Sequence, residues 1–585
     1  MILQALNQYY ETLCANGELS VPGWDDAFSV SFGLDLSDEG ALVRLIDFRQ
    51  EVPRGKKMVL RPQAMRVPSH PKRTSGTLAN FLCDNSGYML GVDGKGNPTK
   101  AERCFEATKR LHEDLLGGIE NPAARAILRF LSRWDPAEAE NDPALVPHWD
   151  LLMGGANLVF CYDGEPVTEI EEFQDAWQRH YDKVDPDALI YQCLVTGQTG
   201  ATARIHPSIK GVKDAQSSGA ALVSFNAPAF CSYGHDQNYN APISERAAFA
   251  YATALNTLLA DRSRCKLIGD TTVVCWAERG ETAYQDAYMA ALDAVSEQTG
   301  EDPLASLLGK IVEGEPLDWD GVPLDENEHF YVLGLAPNAA RLSVRFFLRD
   351  TFGQLLQNVK RHYEDIAIIA PSYDKMEHIP LWRLLSETVN QKSSDKSSSP
   401  QLSGDVLRAI LNGTPYPATL LNAVQQRIRA EREVTRGRAA IIKAYYLRAN
   451  HIPFLKEILQ MEQNQTSTNI PYTLGRLFSI YEQIQERAYP GLNATIKDKY
   501  FNSASGTPAT VMPMLGNLAQ KHLRVIRRTA PGSAVYYEKI LGEYSAIIGE
   551  TYPTRLTLPE QGAFQLGYYF ENRARYTPKA NKTED

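Results

Sequence analysis

A serine-rich segment at residues 391–404 (QKSSDKSSSPQLSG) separates two kinds of sequence. It is nearly free of apolar residues and low in complexity, a composition typical of a flexible linker or an exposed loop. Every segment after it places apolar residues at helical spacing, whereas the part before it mixes helical spacing with strand-like alternation. The sequence therefore predicts an α+β fold in which an N-terminal mixed α/β region is followed by an all-α helical bundle.

The segment also defines the predicted domain boundaries. A chain of 585 residues has room for three or four domains at ~150 residues each. We predict an N-terminal α+β region at 1–390, a linker or exposed loop at 391–403 and a C-terminal helical bundle at 404–585. Because the bundle has its own apolar stripes, we expect residues 404–585 to fold alone.

Two of the predicted C-terminal helices carry arginine or lysine away from their apolar stripe. Leu420, Leu421, Val424 and Ile428 form one stripe, and Arg427 falls largely outside it. In the helix that includes 514–528, Lys521, Arg524 and Arg528 are spaced i, i+3 and i+7 and therefore share one face. This spacing predicts a basic surface that can bind the phosphates of a nucleic-acid strand.

Charge is unevenly distributed along the chain. The formal net charge is −11, yet residues 401–585 carry 23 Lys and Arg against 15 Asp and Glu, while the remainder carries 37 against 56. A local basic region matters more for phosphate binding than the total charge does. The negative total therefore does not exclude a nucleic-acid partner.

Residues 54–73 (RGKKMVLRPQAMRVPSHPKR) hold seven Lys and Arg and no acidic residue, inside the acidic part of the chain. Such a run is either a solvated basic loop or a phosphate-binding loop, and we favour the second interpretation because lysine and arginine contacts supply sequence-independent affinity. The candidate phosphate-binding residues are Arg54, Lys56, Lys57, Lys72 and Arg73.

Residues 198–240 are dense in Gly, Ser, Asn and Gln, and loops of this kind often carry function. A long glycine-rich crossover is the structural alternative. One apolar run, 220–225, predicts a short buried strand. In this segment the candidate phosphate ligands are Lys210 and Lys213, and the candidate residues for contacting base edges are Gln216, Ser217, Ser218 and Asn226.

Signatures of catalysis, cofactors and membranes are missing from the sequence. It has no GxxxxGK[ST] phosphate loop and no HExxH motif, and its eight cysteines form no CxxC pair. His235-Asp236 is an isolated pair, and no GxSxG motif surrounds Ser217. No apolar run is long enough to span a bilayer, and the N-terminus lacks signal-peptide features. We expect a cytoplasmic binding protein without a metal site or cofactor.

Several blocks of the sequence resemble one known family. KGVKDAQSSGAALVSFNAPAFCSYG (210–234) followed by NAPIS is similar to a signature of the large subunit of the type I-C CRISPR Cascade complex. Four later blocks, in the same order, are also similar to that family: 335–347, 468–485, 490–511 and 561–573. The resemblance covers most of the chain.

The resemblance implies a non-catalytic subunit of an RNA-guided surveillance complex. Such a subunit recognises a protospacer-adjacent motif (PAM) on double-stranded DNA, promotes strand opening and R-loop formation, and presents the site to a helicase-nuclease recruited in trans. Its implied partners are guide RNA, backbone subunits, a guide-handle-binding subunit, small subunits and both double- and single-stranded DNA. In this family the region around residues 74–91 is a loop that contacts the target duplex, which makes Asn80 a candidate base reader and Phe81 a candidate wedge. Phe81, like Leu82, could equally belong to the core.

The C-terminal part of the family is similar to the Cascade small subunit and guides the displaced strand, which implies that role for Arg427, Lys521, Arg524 and Arg528. Relatives also make this small subunit separately by internal translation initiation, and Met461 is a candidate start.

Two other classes of function stay open on the sequence: a metal-dependent DNA-processing nuclease of unknown type, and a structural scaffold without DNA contact. Nuclease assays with divalent metal test the first, and salt-dependent duplex binding tests the second.

Overall fold

The computed structural model describes residues 1–19, 22–54, 57–70, 77–92, 97–183, 187–293, 317–390, 392–394, 397–449 and 452–575. The chain forms two compact units: the first comprises residues 1, 3–207 and 224–254, and the second comprises 2, 208–223 and 255–585. Within the described residues the last strand ends at Thr351 and all later regular elements are helical. The predicted α+β class, with a mixed region followed by helices, is confirmed.

The strands lie in several small sheets. Their bounds are β1 (Trp24–Val30), β2 (Phe32–Leu36), β3 (Leu42–Asp47), β4 (Gln50–Arg54), β5 (Lys57–Arg61), β6 (Gln63–Pro68), β7 (Cys83–Asn85), β8 (Asn157–Tyr162), β9 (Glu165–Pro166), β10 (Ile190–Gln192), β11 (Thr199–Ala201), β12 (Cys265–Ile268), β13 (Thr271–Ala277), β14 (Leu317–Trp319), β15 (Val322–Leu324), β16 (His329–Asn338) and β17 (Arg341–Thr351).

The α-helices of the first unit and the start of the second are α1 (Ile2–Ala15), α2 (Ser86–Met89), α3 (Pro98–Leu116), α4 (Pro122–Arg133), α5 (Trp149–Met153), α6 (Glu171–Tyr181), α7 (Glu245–Ala260) and α8 (Thr282–Asp293). The remaining helices are α9 (Phe352–Ile366), α10 (Leu381–Ser386), α11 (Pro400–Leu411), α12 (Ala418–Glu431), α13 (Arg436–Ala449), α14 (Ile470–Ala488), α15 (Ile496–Gly506), α16 (Pro508–Thr529), α17 (Pro531–Ile548) and α18 (Leu558–Ala574). None of the helices in these described ranges has the length and apolar character needed to cross a bilayer.

The first unit is built around β2, whose five residues are all buried. β2 pairs antiparallel with β3 and parallel with β8, and β8 pairs in turn with β7 and β9. Apolar residues of β2, β8, α3, α4 and α6 share one core. The sequence ANLVFCYDGEPV (156–167) predicts a hairpin with its turn at Asp163-Gly164. This is confirmed, since both residues take positive φ between β8 and β9.

A buried histidine holds the backbone that leads into β7. Leu82 has a positive φ of 60°, and its N–H donates to Nε2 of His112 at 3.0 Å. Nδ1 of His112 lies 2.8 Å from the carbonyl oxygen of Thr108. These two contacts require the neutral imidazole with its proton on Nδ1, because a proton on Nε2 would face the Leu82 N–H. Burial lowers the pKa of His112 to about 4.

This histidine predicts a loss of stability in mild acid. The pKa of His112 is lower in the folded state than its ordinary value of 6.5. Below pH 6.5 the unfolded state therefore binds a proton that the folded state does not, and this binding stabilises the unfolded state. Between pH 7.5 and pH 5 the free energy of unfolding should fall by about 2 kcal/mol from this residue. Urea titrations at both pH values should show a smaller loss for His112→Gln, and an equal loss in both proteins would contradict the assignment.

The second unit contains the four-stranded antiparallel sheet β12-β13-β16-β17. The alternating pattern of residues 329–348 predicts strands around a turn at Ala336-Pro337-Asn338. The strands are confirmed, but the position of the turn was wrong. Asn338 pairs with Arg341, and Ala339 adopts the positive φ that a tight turn needs. β16 therefore includes all three residues of the predicted turn and ends at Asn338.

The segment at 391–404 is not the boundary between the two compact units. One apolar core includes β13, β16, α9 and α10 before the segment, and α11 to α18 after it. α11 begins inside the predicted linker, where the hydroxyl of Ser399 accepts the N–H of Leu402 at 3.3 Å. Serines are therefore frequent here partly because serine caps a helix well.

Three buried cations on α13 find partners that precede this segment. Nη1 of Arg436 lies 3.2 Å from Oδ2 of Asp374, and Nε of Arg448 lies 2.6 Å from Oδ2 of Asp365. Nζ of Lys443 donates to the main-chain oxygen of Asp365 at 2.8 Å, and burial lowers its pKa to about 8. The side chain of Arg448 is 1% exposed. The helices after residue 404 thus depend on residues before 391.

The C-terminal helices pack most closely where α14 meets α18. A Cβ added to Gly475 would overlap the main-chain oxygen of Phe564, and one added to Gly567 would overlap that of Tyr472. Glycine is required at both positions because the two helical backbones are in direct contact.

Candidate nucleic-acid interface

Residues 208–223 of the second unit form a loop that we call the basic loop. All five of its predicted functional side chains are exposed: Lys210, Lys213, Gln216, Ser217 and Ser218. Gln216 to Gly219 make a turn closed by the Gly219 N–H donating to the Gln216 carbonyl at 2.9 Å. The structure therefore brings the predicted lysines, amide and hydroxyls together on one short loop.

Main-chain hydrogen bonds fix the base of the basic loop. Ile209 and Ala220 exchange two N–H···O bonds of 2.9 Å each. Gly219 has a φ of +95°, and a Cβ there would lie 2.8 Å from Cβ of Ser208. Glycine therefore permits both the turn and the close approach.

Side chains from two other elements position the lysines. Oδ1 of Asn256 accepts the N–H of Lys210 at 2.8 Å, and its Nδ2 donates to the carbonyl of Ser208 at 3.1 Å. The hydroxyl of Thr272 accepts the N–H of Lys213 at 3.2 Å. Only the backbone N–H groups of the lysines are used in these bonds, which leaves their ammonium groups at the surface. Sequence reasoning missed Asn256 because its role depends on contacts 46 residues away.

The ammonium group of Lys213 has one nearby acid, with Nζ 3.4 Å from Oδ1 of Asp214. Both side chains are more than half exposed, so this ion pair contributes little and a phosphate can replace it. The loop is thus a small basic surface with hydrogen-bonding groups beside it.

The predicted buried strand at 220–225 was wrong. Only isolated bridges form: Ala220 with Ile209, and Ala221 with Arg341. Ala220 alone is fully buried, and residues 221–225 are partly exposed. The apolar run does not form a strand. Its main-chain hydrogen bonds are those of the two bridges, which anchor the end of the basic loop.

Asn226 is exposed in the first unit, on the segment that leads to a loop organised by Asn240. Oδ1 of Asn240 accepts the N–H of Ser232 at 2.7 Å, and its Nδ2 donates to the carbonyls of His235 and Gln237, both at 2.8 Å. At the tip, Tyr233 is 99% exposed with a φ of 53°. Sequence reasoning did not single out Tyr233; its signal is the Tyr-Gly pair directly before the polar stretch HDQNYN at 235–240.

Asn80 and Phe81 lie in the core of the first unit. Both are completely buried. Nδ2 of Asn80 donates to the carbonyls of Pro68 (2.9 Å) and Cys83 (3.0 Å), and Phe81 stacks on Trp177 with ring centroids 5.8 Å apart. In this conformation neither side chain reaches a base, which corrects their placement as surface readers. The sequence left a place in the core open for Phe81, and burial decides for it; for Asn80 burial is an unexpected finding.

The basic stretch 54–73 is described only in part. Arg54 ends β4 and pairs with Lys57, the first residue of β5, in a tight antiparallel hairpin. Lys56, Lys72 and Arg73 lie outside the described residues. For this stretch the structure therefore supports a strand hairpin at its start, and its phosphate-binding role stays a prediction.

The basic face predicted on α16 is present. Lys521, Arg524 and Arg528 are all exposed, and no carboxylate in the described parts of the chain forms an ion pair with them. Arg527, on another side of the helix, pairs with Glu538. Arg427 differs from the α16 residues, since Nη1 lies 3.6 Å from Oε1 of Glu431 and its side chain is 27% exposed. α16 is thus the stronger candidate for binding a strand.

A cleft of about 1410 Å³ in the first unit differs from the basic loop and from α16 in the charge of its lining. Its charged lining includes Arg103, Arg110 and Arg204, but also Glu106, Asp114 and Glu245. The formal charges of these six side chains cancel, so phosphate oxygens would be repelled as well as attracted. Across the described residues, no three His, Cys, Asp or Glu side chains are grouped to bind a metal ion.

Comparison with known proteins places the chain in one family. The model for the family described as CRISPR-associated protein (Cas_Csd1) matches residues 6–576, which is nearly the whole chain. A search of curated proteins gives no significant match.

Proposed function

Because the chain belongs to this family of type I-C Cascade large subunits, we propose that it recognises the PAM on duplex DNA and promotes strand opening. Guide RNA then pairs with one strand, and the protein stabilises the displaced one. The chain contributes binding and positioning, whereas a helicase-nuclease recruited in trans cuts the DNA. Its partners are guide RNA and the backbone, guide-handle-binding and small subunits, in the cytoplasm.

The basic loop is the observation that carries this proposal. It presents two lysines for phosphates and one amide for a base edge on a backbone held by Asn256, Thr272 and the Ile209–Ala220 bridge. A preordered loop loses little conformational entropy on binding. Exchanging the DNA duplex for the RNA–DNA heteroduplex is nearly balanced in free energy. A few favourable protein–DNA contacts are therefore enough to favour strand opening.

Phosphate contact and base reading can be separated by salt titration of the assembled, guide-loaded complex. Lys210→Ala or Lys213→Ala should weaken binding to targets with and without the motif about equally, and each should reduce the salt slope by roughly 1. Gln216→Ala or Asn226→Ala should lose roughly 1–3 kcal/mol of discrimination between the two targets, with the slope nearly unchanged.

Lys375→Ala serves as a matched control, since Lys375 is exposed and lies outside both candidate surfaces. Asn80→Ala is a poor probe of base reading, because it removes two buried hydrogen bonds and so acts through folding. If the lysine variants keep the wild-type slope, the basic loop is structural. If both amide variants keep the target preference, motif reading lies elsewhere.

The C-terminal helices suit the small-subunit role. Exposed cations at i, i+3 and i+7 on α16 match a surface that follows the phosphates of a displaced strand. Buried charged groups after Met461 also have partners within the same segment. Nε of Arg476 lies 2.9 Å from Oε2 of Glu571, and the hydroxyl of Tyr568 donates to Glu482 at 2.6 Å. This internal pairing supports Met461 as the start of a separately made small subunit.

A further inference from the structure

A partly exposed tyrosine ring, that of Tyr489, contacts α16, the helix that carries the basic face. Tyr489 follows the C-terminal end of α14, and its N–H donates to the carbonyl of Gln485 at 3.0 Å. Its side chain is 47% exposed. One edge of the ring meets the buried His522 of α16, with centroids 5.5 Å apart and an interplanar angle of 82°. The tyrosine is thus held in place and still presents part of its ring to solvent.

His522 relates this ring to the basic face. It follows Lys521 directly, and one residue rotates an α-helix by about 100°, so Tyr489 contacts α16 at the level of Lys521 on a neighbouring side of the helix. The exposed stripe of α16 comprises Met514, Asn517, Lys521, Arg524 and Arg528. At 1.5 Å per residue these five positions extend over about 21 Å, which is long enough for several nucleotides of a single strand.

We propose that Tyr489 stacks on an unpaired base of the displaced strand while Lys521, Arg524 and Arg528 bind its phosphates. This inference rests on the proposed function of α16 and adds the residue that holds a base. Proteins that bind single strands without sequence preference combine a cationic groove with aromatic rings, because every base has a flat face to stack. The T-shaped contact with His522 fixes the ring before binding, which lowers the entropy cost of stacking.

The test uses the full chain and a single-stranded oligothymidylate that carries one 2-aminopurine, whose fluorescence is quenched by stacking. Tyr489→Ala should weaken binding about fivefold to tenfold and abolish the quenching, with an unchanged salt slope. Tyr489→Phe, which keeps the ring, should retain affinity and quenching. Lys521→Ala should reduce the salt slope by about 0.7, the value for one phosphate contact on a single strand.

The outcomes distinguish this inference from the function on which it rests. If Lys521→Ala and Arg524→Ala lower the slope while Tyr489→Ala binds and quenches like wild type, the stacking role is wrong and the α16 surface stands. If neither arginine nor lysine changes affect binding, the α16 surface itself is wrong. Thermal melting of each variant checks folding, and Tyr489→Leu replaces Tyr489→Ala should the alanine variant melt early.

Discussion

Expressed alone, residues 404–585 should fail to unfold as a cooperative unit, although their apolar stripes predict an autonomous bundle. The cut removes Asp374, Asp365 and the main-chain oxygens that receive Arg436, Lys443 and Arg448. Breaking a buried ion pair by removing one partner costs about 3–5 kcal/mol. Two such losses amount to about 6–10 kcal/mol, and the buried ammonium of Lys443 also loses its carbonyl partners. The total is comparable to the roughly 5–15 kcal/mol by which most domains are stable.

Two other fragments provide the controls. Residues 261–585 begin directly after α7 and restore all the partners of α13, so this fragment should melt cooperatively by circular dichroism. Residues 461–585 lack α13 altogether and keep Arg476 with Glu571 and Tyr568 with Glu482, so they too should fold. A cooperative transition for 404–585 would show that these buried cations can do without their partners. A disordered 461–585 would contradict Met461 as the start of a folded small subunit.

Of the substitutions that add one methyl group to the C-terminal helices, Gly475→Ala should lower the free energy of unfolding the most. The added Cβ would overlap the main-chain oxygen of Phe564, so α14 and α18 would have to separate and unpack the core around them. Overpacking of a rigid core costs typically 1–3 kcal/mol and occasionally more. Because the clash here is with backbone, we expect a loss of about 3 kcal/mol or more.

Gly542→Ala is the matched control for this prediction. Gly542 lies within α17 and nothing approaches its missing side chain within 4 Å. Alanine there should stabilise the protein by about 0.5–1 kcal/mol because it restricts the unfolded chain and favours the helix. Chemical denaturation of both variants gives the comparison, and a Gly475→Ala protein as stable as wild type would mean that the helices can move apart at no cost.

Local pattern was sufficient to predict much of the fold. The spacing of Leu420, Leu421, Val424 and Ile428 predicted a helix, and all four are buried. Ser244 directly precedes α7, where the preference of serine for the N-cap position predicts a cap, and its hydroxyl accepts the N–H of Ala247 at 3.3 Å. Both features depend on residues within one or two helical turns, so the sequence contains everything that determines them.

Features that depend on distant residues could not be predicted in this way. The serine-rich segment has the composition of a boundary, but the partners of Arg436 and Arg448 lie 62 and 83 residues earlier in the chain. The amide of Asn80 donates to the carbonyls of Pro68 and Cys83, and the residues adjacent to it in the sequence do not indicate that it is buried. In the candidate site, exposed lysines followed from composition, whereas the asparagines that order the loops did not.

The contact between α14 and α18 has a consequence for synthesis. The ribosome completes α14 at Ala488, about 80 residues before Gly567 of α18 is added. Until then the face of α14 around Gly475 and Phe478 has no helix to cover it, and exposed apolar surface of this kind promotes aggregation. The nascent bundle is therefore an expected client of chaperones, and premature termination before α18 should yield protein that is degraded instead of assembled.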